Sequence, residues 1–192
     1  MSRSLRLLLL LPALMLAACV TTPEAPDAVH RPDADAERRA TPTPVCSDIG
    51  SPAFVICQFY SRYITLHPRG LPDDATARVL QPFLSSSLLT LLNDASERAD
   101  EFSGRILFSG GDVMPDAFSV LNVRTFRGPE GSSWALVSIQ LEDGERRQRW
   151  IDEAVVRQGP DGYRIEEFVL RPADRNGGPP NTLRRQLGDG GL

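Results

Sequence analysis

The spacing of apolar residues changes once along this chain of 192 residues, and that change restricts its fold more than any other feature. Before Phe102, apolar side chains recur every three or four residues, which is typical of helices with one buried face. After Phe102, apolar and polar residues alternate, which is typical of strands with one buried face. The pattern therefore predicts an α+β domain in which helices precede an antiparallel sheet.

Three helices are predicted before the change. Ser51 is suited to cap the first helix and Pro52 to occupy its first position, while Pro68 disfavours helical geometry at the residue before it. Residues 72–79 predict a short second helix. A longer third helix is predicted to begin at about Pro82, with an apolar stripe along one side.

Four strands are predicted after the change, at residues 118–126, 133–142, 147–157 and 163–170. Short segments rich in Gly, Pro and Asp separate them, and such segments suit tight reversals between antiparallel neighbours. The prediction is a curved four-stranded meander with N-terminal helices packed on one face. Within the second strand, Ala135 belongs to the face that meets the helices, and Trp134 belongs to the opposite face or to a strand end.

The first residues have the pattern of a secretory signal: arginines, a short apolar run and small residues before Cys19. The alternative, a membrane-spanning helix, needs about 20 apolar residues, and Pro12 interrupts this shorter run. Leu16-Ala17-Ala18-Cys19 resembles the lipobox of bacterial lipoproteins. The resemblance implies cleavage before Cys19, a diacylglycerol thioether on its sulfur and acylation of its amine. With Val20 next, it also implies retention at the outer membrane, the domain facing the periplasm.

The chain is accordingly divided into four parts. Residues 1–18 are predicted to be the signal peptide, and residues 19–46 a lipidated N-terminus and disordered tether rich in Pro, Ala, Thr and Asp. Residues 47–171 are predicted to form the folded domain, and residues 172–192 a disordered tail.

Two cysteines remain once Cys19 carries lipid. Export places Cys46 and Cys57 in an oxidising compartment, so a disulfide between them is predicted. The alternative is a free thiol at Cys46 and a small buried hydrophobic residue at Cys57. No metal site is predicted, because no histidine lies near either cysteine at ligand spacing.

The order of elements resembles the cystatin-like or nuclear-transport-factor-2-like roll. Three segments resemble recurring parts of a family of bacterial lipoproteins of unknown function with that roll, over roughly residues 51–170. They are Phe59-Tyr60-Ser61-Arg62-Tyr63-Ile64, Leu80-Gln81-Pro82-Phe83-Leu84-Ser85 leading into Leu88-Leu89-Thr90-Leu91-Leu92, and Asp161-Gly162-Tyr163-Arg164-Ile165. These are core and turn residues, so the resemblance implies a fold rather than a reaction.

No catalytic motif, nucleotide-binding loop or cofactor fingerprint occurs in the sequence. The formal net charge is −4 and the arginines are scattered, so nucleic acid is not an expected partner. Enzymes built on the roll place an Asp, Tyr or His inside it, for which the candidates are Asp112, Asp116, Asp152 and Tyr163. The expectation is nevertheless a non-enzymatic lipoprotein whose domain binds a partner protein or a small apolar ligand. The alternative is a hydrolase or isomerase that faces the periplasm.

The predicted ligand pocket consists of Trp134, Trp150 and Tyr163 with Asp152 beside them. The three aromatic residues lie at comparable places in neighbouring strands, where antiparallel pairing could bring them together on one face. The alternative is that they only pack against one another across the sheet.

Overall fold

The computed structural model of the protein describes residues 46–128, 131–171 and 181–188. The predicted signal peptide, Cys19 and nearly all of the predicted tether lie outside these ranges. Four α-helices and five strands are present in the described residues, in the following order: α1 (Pro52–Leu66), α2 (Asp74–Leu80), α3 (Ser86–Ala95), β1 (Ala117–Arg127), β2 (Ser133–Asp143), β3 (Gln148–Gly159), β4 (Gly162–Leu170), β5 (Asn181–Thr182) and α4 (Leu183–Gly188). The predicted α+β order is confirmed.

Helix α1 begins and ends where local chemistry predicts. The Ser51 hydroxyl accepts a hydrogen bond of 3.1 Å from the backbone NH of Phe54 and so caps the first turn. At the other end His67 adopts a left-handed conformation with a φ of 48°, and its NH donates to the carbonyl of Tyr63. Helix α1 is the central helix of the domain, and seven of its 15 residues are buried.

The predicted start of the third helix is wrong by four residues. Residues Gln81–Phe83 form a single 3-10 turn, and Leu84 is extended. Leu84 pairs with Ile165 of β4, and the NH of Ser85 donates to the Ile165 carbonyl at 2.9 Å. Because this strand contact holds the backbone out of helical geometry, α3 begins only after Ser85, whose hydroxyl accepts from the NH of Leu88.

The strands pair in the order β1-β2-β3-β4-β5, with every neighbour antiparallel. The predicted meander is confirmed, whereas the predicted count of four strands is wrong because β5 pairs with the end of β4. Alternate residues of β2 are buried, including Ala135 and Val137, and the residues between them are half-buried. One face of the sheet therefore packs on the core, and the other face faces solvent.

The predicted C-terminal tail, residues 172–192, is wrong for residues 181–188, which form β5 and α4. Leu183 and Leu187 are almost fully buried. Glu167 accepts hydrogen bonds from the backbone NH groups of Phe168 and Arg184, and the Arg184 guanidinium lies 3.1 Å from the Glu166 carboxylate. These tertiary contacts hold a segment whose local composition is typical of a loose tail.

The core is built around a cluster of aromatic rings. Phe59 of α1 lies with its ring centroid 5.1 to 5.8 Å from those of Tyr60, Tyr63, Phe108 and Phe168, and none of these side chains is more than 1% exposed. Edge-to-face and tilted pairs at such distances add to the free energy gained from burial. The space between α1 and the sheet is thus filled by side chains.

The predicted disulfide is present between Cys46 and Cys57, whose Cα atoms lie 5.6 Å apart. Cys57 lies on α1 and is buried. The alternative of two free thiols is therefore excluded. The bond attaches the beginning of the described chain to the middle of the central helix.

Candidate functional site

The predicted ligand pocket does not assemble. Trp134 pairs with Arg157 across β2 and β3, whereas Trp150 pairs with Leu141, seven residues further along β2. At roughly 3.3 Å per residue the two tryptophans are about 23 Å apart along the strands. They also lie on opposite faces, because Leu141 is fully buried and Trp134 is on the solvent-facing side.

Each predicted pocket residue has a partner of its own. Trp150 is buried and its indole NH donates to the Ser109 hydroxyl at 3.0 Å. The Tyr163 and Ser133 hydroxyls are 3.3 Å apart near the far end of the sheet. The alternative, that these side chains pack against one another across the sheet, is therefore wrong for Trp134 and Trp150, and each contacts other residues.

Asp152 is the fourth predicted pocket residue, and it is fully buried beside the aromatic cluster. One carboxylate oxygen accepts from the NH of Gly110 and the other from the NH of Arg171, both at 2.8 Å. The carboxylate thereby joins β3 to the loop before β1 and to the end of β4. With both oxygens engaged, Asp152 connects three parts of the fold.

Burial raises the pKa of the Asp152 carboxyl from 3.8 to about 6, and the two backbone NH groups counteract only part of that increase. Burial, followed by the negative charge of Asp152, raises the pKa of Tyr60 well above its usual range. Burial likewise raises the pKa of Tyr63. The two phenols are therefore neutral at ordinary pH and are unsuited to act as bases.

Titration of Asp152 predicts a pH-dependent stability. Between about pH 4 and 6 the folded protein holds a proton on this carboxyl that the unfolded chain has released. The free energy of unfolding should therefore fall as the pH rises through this window. For a shift of about two pH units the loss is about 3 kcal/mol.

Urea unfolding of the wild type and of Asp152→Asn from pH 4 to 7 measures this effect. The variant cannot titrate at residue 152. Its free energy of unfolding should therefore fall by about 3 kcal/mol less than that of the wild type over this pH range. Parallel curves for the two proteins would show that Asp152 does not carry the effect.

The remaining catalytic candidates, Asp112 and Asp116, lie outside the core. Asp116 accepts a hydrogen bond of 2.9 Å from the NH of Gly144 and so fixes the turn between β2 and β3. Asp112 lines surface clefts rather than the interior. Within the described ranges, no three His, Cys, Asp or Glu side chains are grouped so that they could hold a metal ion.

The solvent-facing side of the sheet is more apolar than such a face usually is. An antiparallel sheet with one buried face normally presents polar side chains on the other. We call the solvent-facing side of the sheet the open face, and six large apolar side chains lie on it. They are Phe126, Trp134, Leu136, Ile151, Val155 and Val169.

Aromatic and charged side chains contact one another on the open face. The rings of Phe126 and Trp134 stack with centroids 6.5 Å apart, and the Arg157 guanidinium lies 5.7 Å from the Trp134 ring. Phe126 is 48% exposed and Ile151 is 44% exposed. Exposed apolar groups of this kind next to arginine are typical of protein-binding surfaces.

Acidic side chains balance the arginines around the open face. Arg124 lies 3.5 Å from Glu153, and Arg149 lies 3.2 Å from Glu142. The face therefore carries charges of both signs, which does not favour a purely anionic partner. Sequence analysis missed this surface, although the apolar residues on both sides of β2 were the signal that could have indicated it.

A sequence that resembles a lipobox, followed by an α+β domain with a disulfide, is compatible with a bacterial lipoprotein. The sequence is 33% identical over 157 residues to the uncharacterized lipoprotein YbjP of Escherichia coli (strain K12), over 80% of this chain and 80% of that protein. The chain belongs to the family of that lipoprotein, whose function is unknown.

No family model matches the sequence, and no solved structure matches the chain. Among the described residues, no helix is both long and apolar enough to cross a membrane.

Proposed function

We propose that this protein is a non-enzymatic envelope lipoprotein whose open face binds a partner protein. The lipid on Cys19 anchors it to the outer membrane, and the domain faces the periplasm. Two or three acyl chains hold a protein on a bilayer far more firmly than one, so a partner would be recruited to the membrane surface.

The observation that carries this proposal is the exposed Phe126 ring stacked on Trp134, with Leu136 and Val155 beside them on the same face. Aromatic residues and arginine are enriched at protein interfaces and dominate their binding energy. The ion pair of Arg124 with Glu153 crosses the same face beside Leu136 and Val155, so polar contacts adjoin the apolar residues.

The interior offers less support for a small apolar ligand or for catalysis. The aromatic cluster occupies the space in which a roll would enclose a ligand, and Phe59, Tyr60 and Phe168 are fully buried within it. Asp152 is inaccessible to a substrate, with both oxygens bound to backbone NH groups. A general base must reach the proton that it abstracts, so this carboxylate is better suited to structure than to catalysis.

We also propose that the domain is a variant of the cystatin-like or nuclear-transport-factor-2-like roll. The support is the element order, with helices first and an antiparallel meander afterwards. The additional strand β5 and helix α4 extend that plan at the C-terminal end.

Site-specific photo-cross-linking in living cells tests the binding proposal. A photoreactive amino acid at position 126 of the full-length lipoprotein should give one discrete adduct with an envelope protein. Adding Leu136→Glu to the same chain should remove the adduct, because Leu136 lies next to Trp134 on the open face and a charge placed in an apolar interface is costly to desolvate.

The matched control is the photoreactive residue at Val79 of α2, which is 39% exposed and lies away from the open face. It should give no such adduct. An adduct of equal strength from position 79, or one that survives Leu136→Glu, would contradict a specific interface on the open face.

A further inference from the structure

A cleft of about 340 Å³ lies at the opposite end of the sheet from Trp134, above the Gly110–Gly111 loop. One wall comes from the segment around Arg105, and the other from Asn181 of β5 and Gln186 of α4. The Gly110–Gly111 loop forms the floor of the cleft, and the backbone NH of Gly110 donates a hydrogen bond to the Asp152 carboxylate. The floor is therefore already fixed before any ligand binds.

Arg105 is the cation of this cleft. Its guanidinium lies 5.8 Å from the centre of the Phe102 ring, and its carbonyl accepts from the NH of Gly70 at 2.8 Å, so the residue is held in place. Arg98 also lies over the Phe102 ring, but it is paired with Glu101 at 2.9 Å. Among the described residues no carboxylate forms an ion pair with Arg105, which leaves its guanidinium able to bind an anion.

Neutral donors line the facing wall. The Asn181 side-chain oxygen already accepts from the NH of Thr182 at 2.9 Å, so its NH₂ group is the end left for a ligand. Gln186 supplies a second amide. Asp112 also lines the cleft and opposes the charge of Arg105, which favours a monoanion with a nearby amine over a dianion such as phosphate.

We propose that this cleft binds a short peptide through its free terminal carboxylate. The carboxylate pairs with Arg105, the peptide groups hydrogen-bond to Asn181 and Gln186, and Asp112 faces the terminal amine. Pockets for small ligands start at about 300 Å³, so a dipeptide fits the available space. This site is separate from the open face and does not depend on the partner proposed there.

Titration of the full-length lipoprotein in detergent with three probes tests the proposal. Alanyl-alanine should bind, alanyl-alaninamide should bind at least about tenfold more weakly because the amide removes the charge, and inorganic phosphate should bind more weakly than alanyl-alanine. Arg105→Gln should weaken the binding of alanyl-alanine by a similar factor. Arg105→Lys, which keeps the charge, should retain part of it.

The matched control is Arg78→Gln on α2, an arginine whose side chain donates to the Asp74 carbonyl of its own helix. It should bind alanyl-alanine like the wild type. The melting temperature of Arg105→Gln shows whether a loss of binding is a loss of folding. A variant that melts like the wild type and binds alanyl-alanine equally well overturns the proposal. Equal binding of alanyl-alanine and its amide, or no binding by the wild type, also overturns it.

Discussion

A Gly110→Ala protein is expected to lose about 3 to 5 kcal/mol of its free energy of unfolding, from overpacking and from broken buried hydrogen bonds. A Cβ atom at residue 110 would lie 2.2 Å from the carbonyl oxygen of Arg171, 2.6 Å from its nitrogen and 2.7 Å from the Asp152 carboxylate. Two of these contacts are with backbone atoms, which cannot move away by a change of rotamer as a side chain can. The loop must move, and the contacts of Asp152 with both neighbours are lost together.

Chemical denaturation of this variant beside Gly159→Ala measures the effect. A Cβ atom at residue 159 meets only the Gly162 carbonyl oxygen, at 3.6 Å, which is an ordinary contact. Gly159→Ala should therefore change stability by less than about 1 kcal/mol. Similar stabilities for the two variants would mean that the Gly110 loop is free to rearrange.

Truncation of Phe59 to alanine should also cost about 3 to 5 kcal/mol. The Phe59 side chain is fully buried, and its ring contacts four other aromatic rings. Its removal leaves a cavity between α1 and the sheet that rigid rings cannot easily fill. Domains of this size are stable by only about 5 to 15 kcal/mol, so the variant is expected to be close to unfolding.

Thermal and urea unfolding of Phe59→Ala should be compared with those of Phe126→Ala. Phe126 is the same residue type but is 48% exposed and contacts the ring of Trp134. Its truncation should cost less than about 1 kcal/mol. If Phe126→Ala were the less stable variant, the open face would be part of the folding core rather than a surface available to a partner.

Local signals were sufficient to predict the central helix and the main strands. Ser51 and Pro52 define the start of α1 by capping and by fixed backbone geometry, which involve only neighbouring residues. Alternation of apolar residues predicted the four long strands, and β2, β3 and β4 each have one buried face, whereas Val120 alone is buried in β1. The start of α3 was mispredicted because a pairing of Leu84 with Ile165, about eighty positions away, decides it.

The C-terminal elements could not be predicted for the same reason. Residues 181–188 contain too few apolar residues to indicate a helix alone, and Glu166 and Glu167 stabilise them from β4. Short helices are marginal without tertiary contacts. Their docking depends on contacts between distant parts of the chain, which periodicity does not encode.

The candidate site was predicted only in part. Trp134 was predicted on the face opposite the helices or at a strand end and lies on the solvent-facing side, but strand register separates it from Trp150 by most of the length of β2. Position along neighbouring strands does not determine which residues pair, because a shift of register moves each side chain to a different neighbour. Asp152 was identified as a candidate base, and its burial beside backbone donors could be known only from the folded structure.

The disulfide at Cys46 determines how mechanical load enters the domain. Any tension on the chain that precedes Cys46 passes through the bond to Cys57, in the middle of α1. The first turns of the helix, including Ser51 and its cap, lie within the closed loop and bear none of that load. A pull from a membrane anchor would therefore act on the buried centre of the domain instead of peeling α1 from its exposed end.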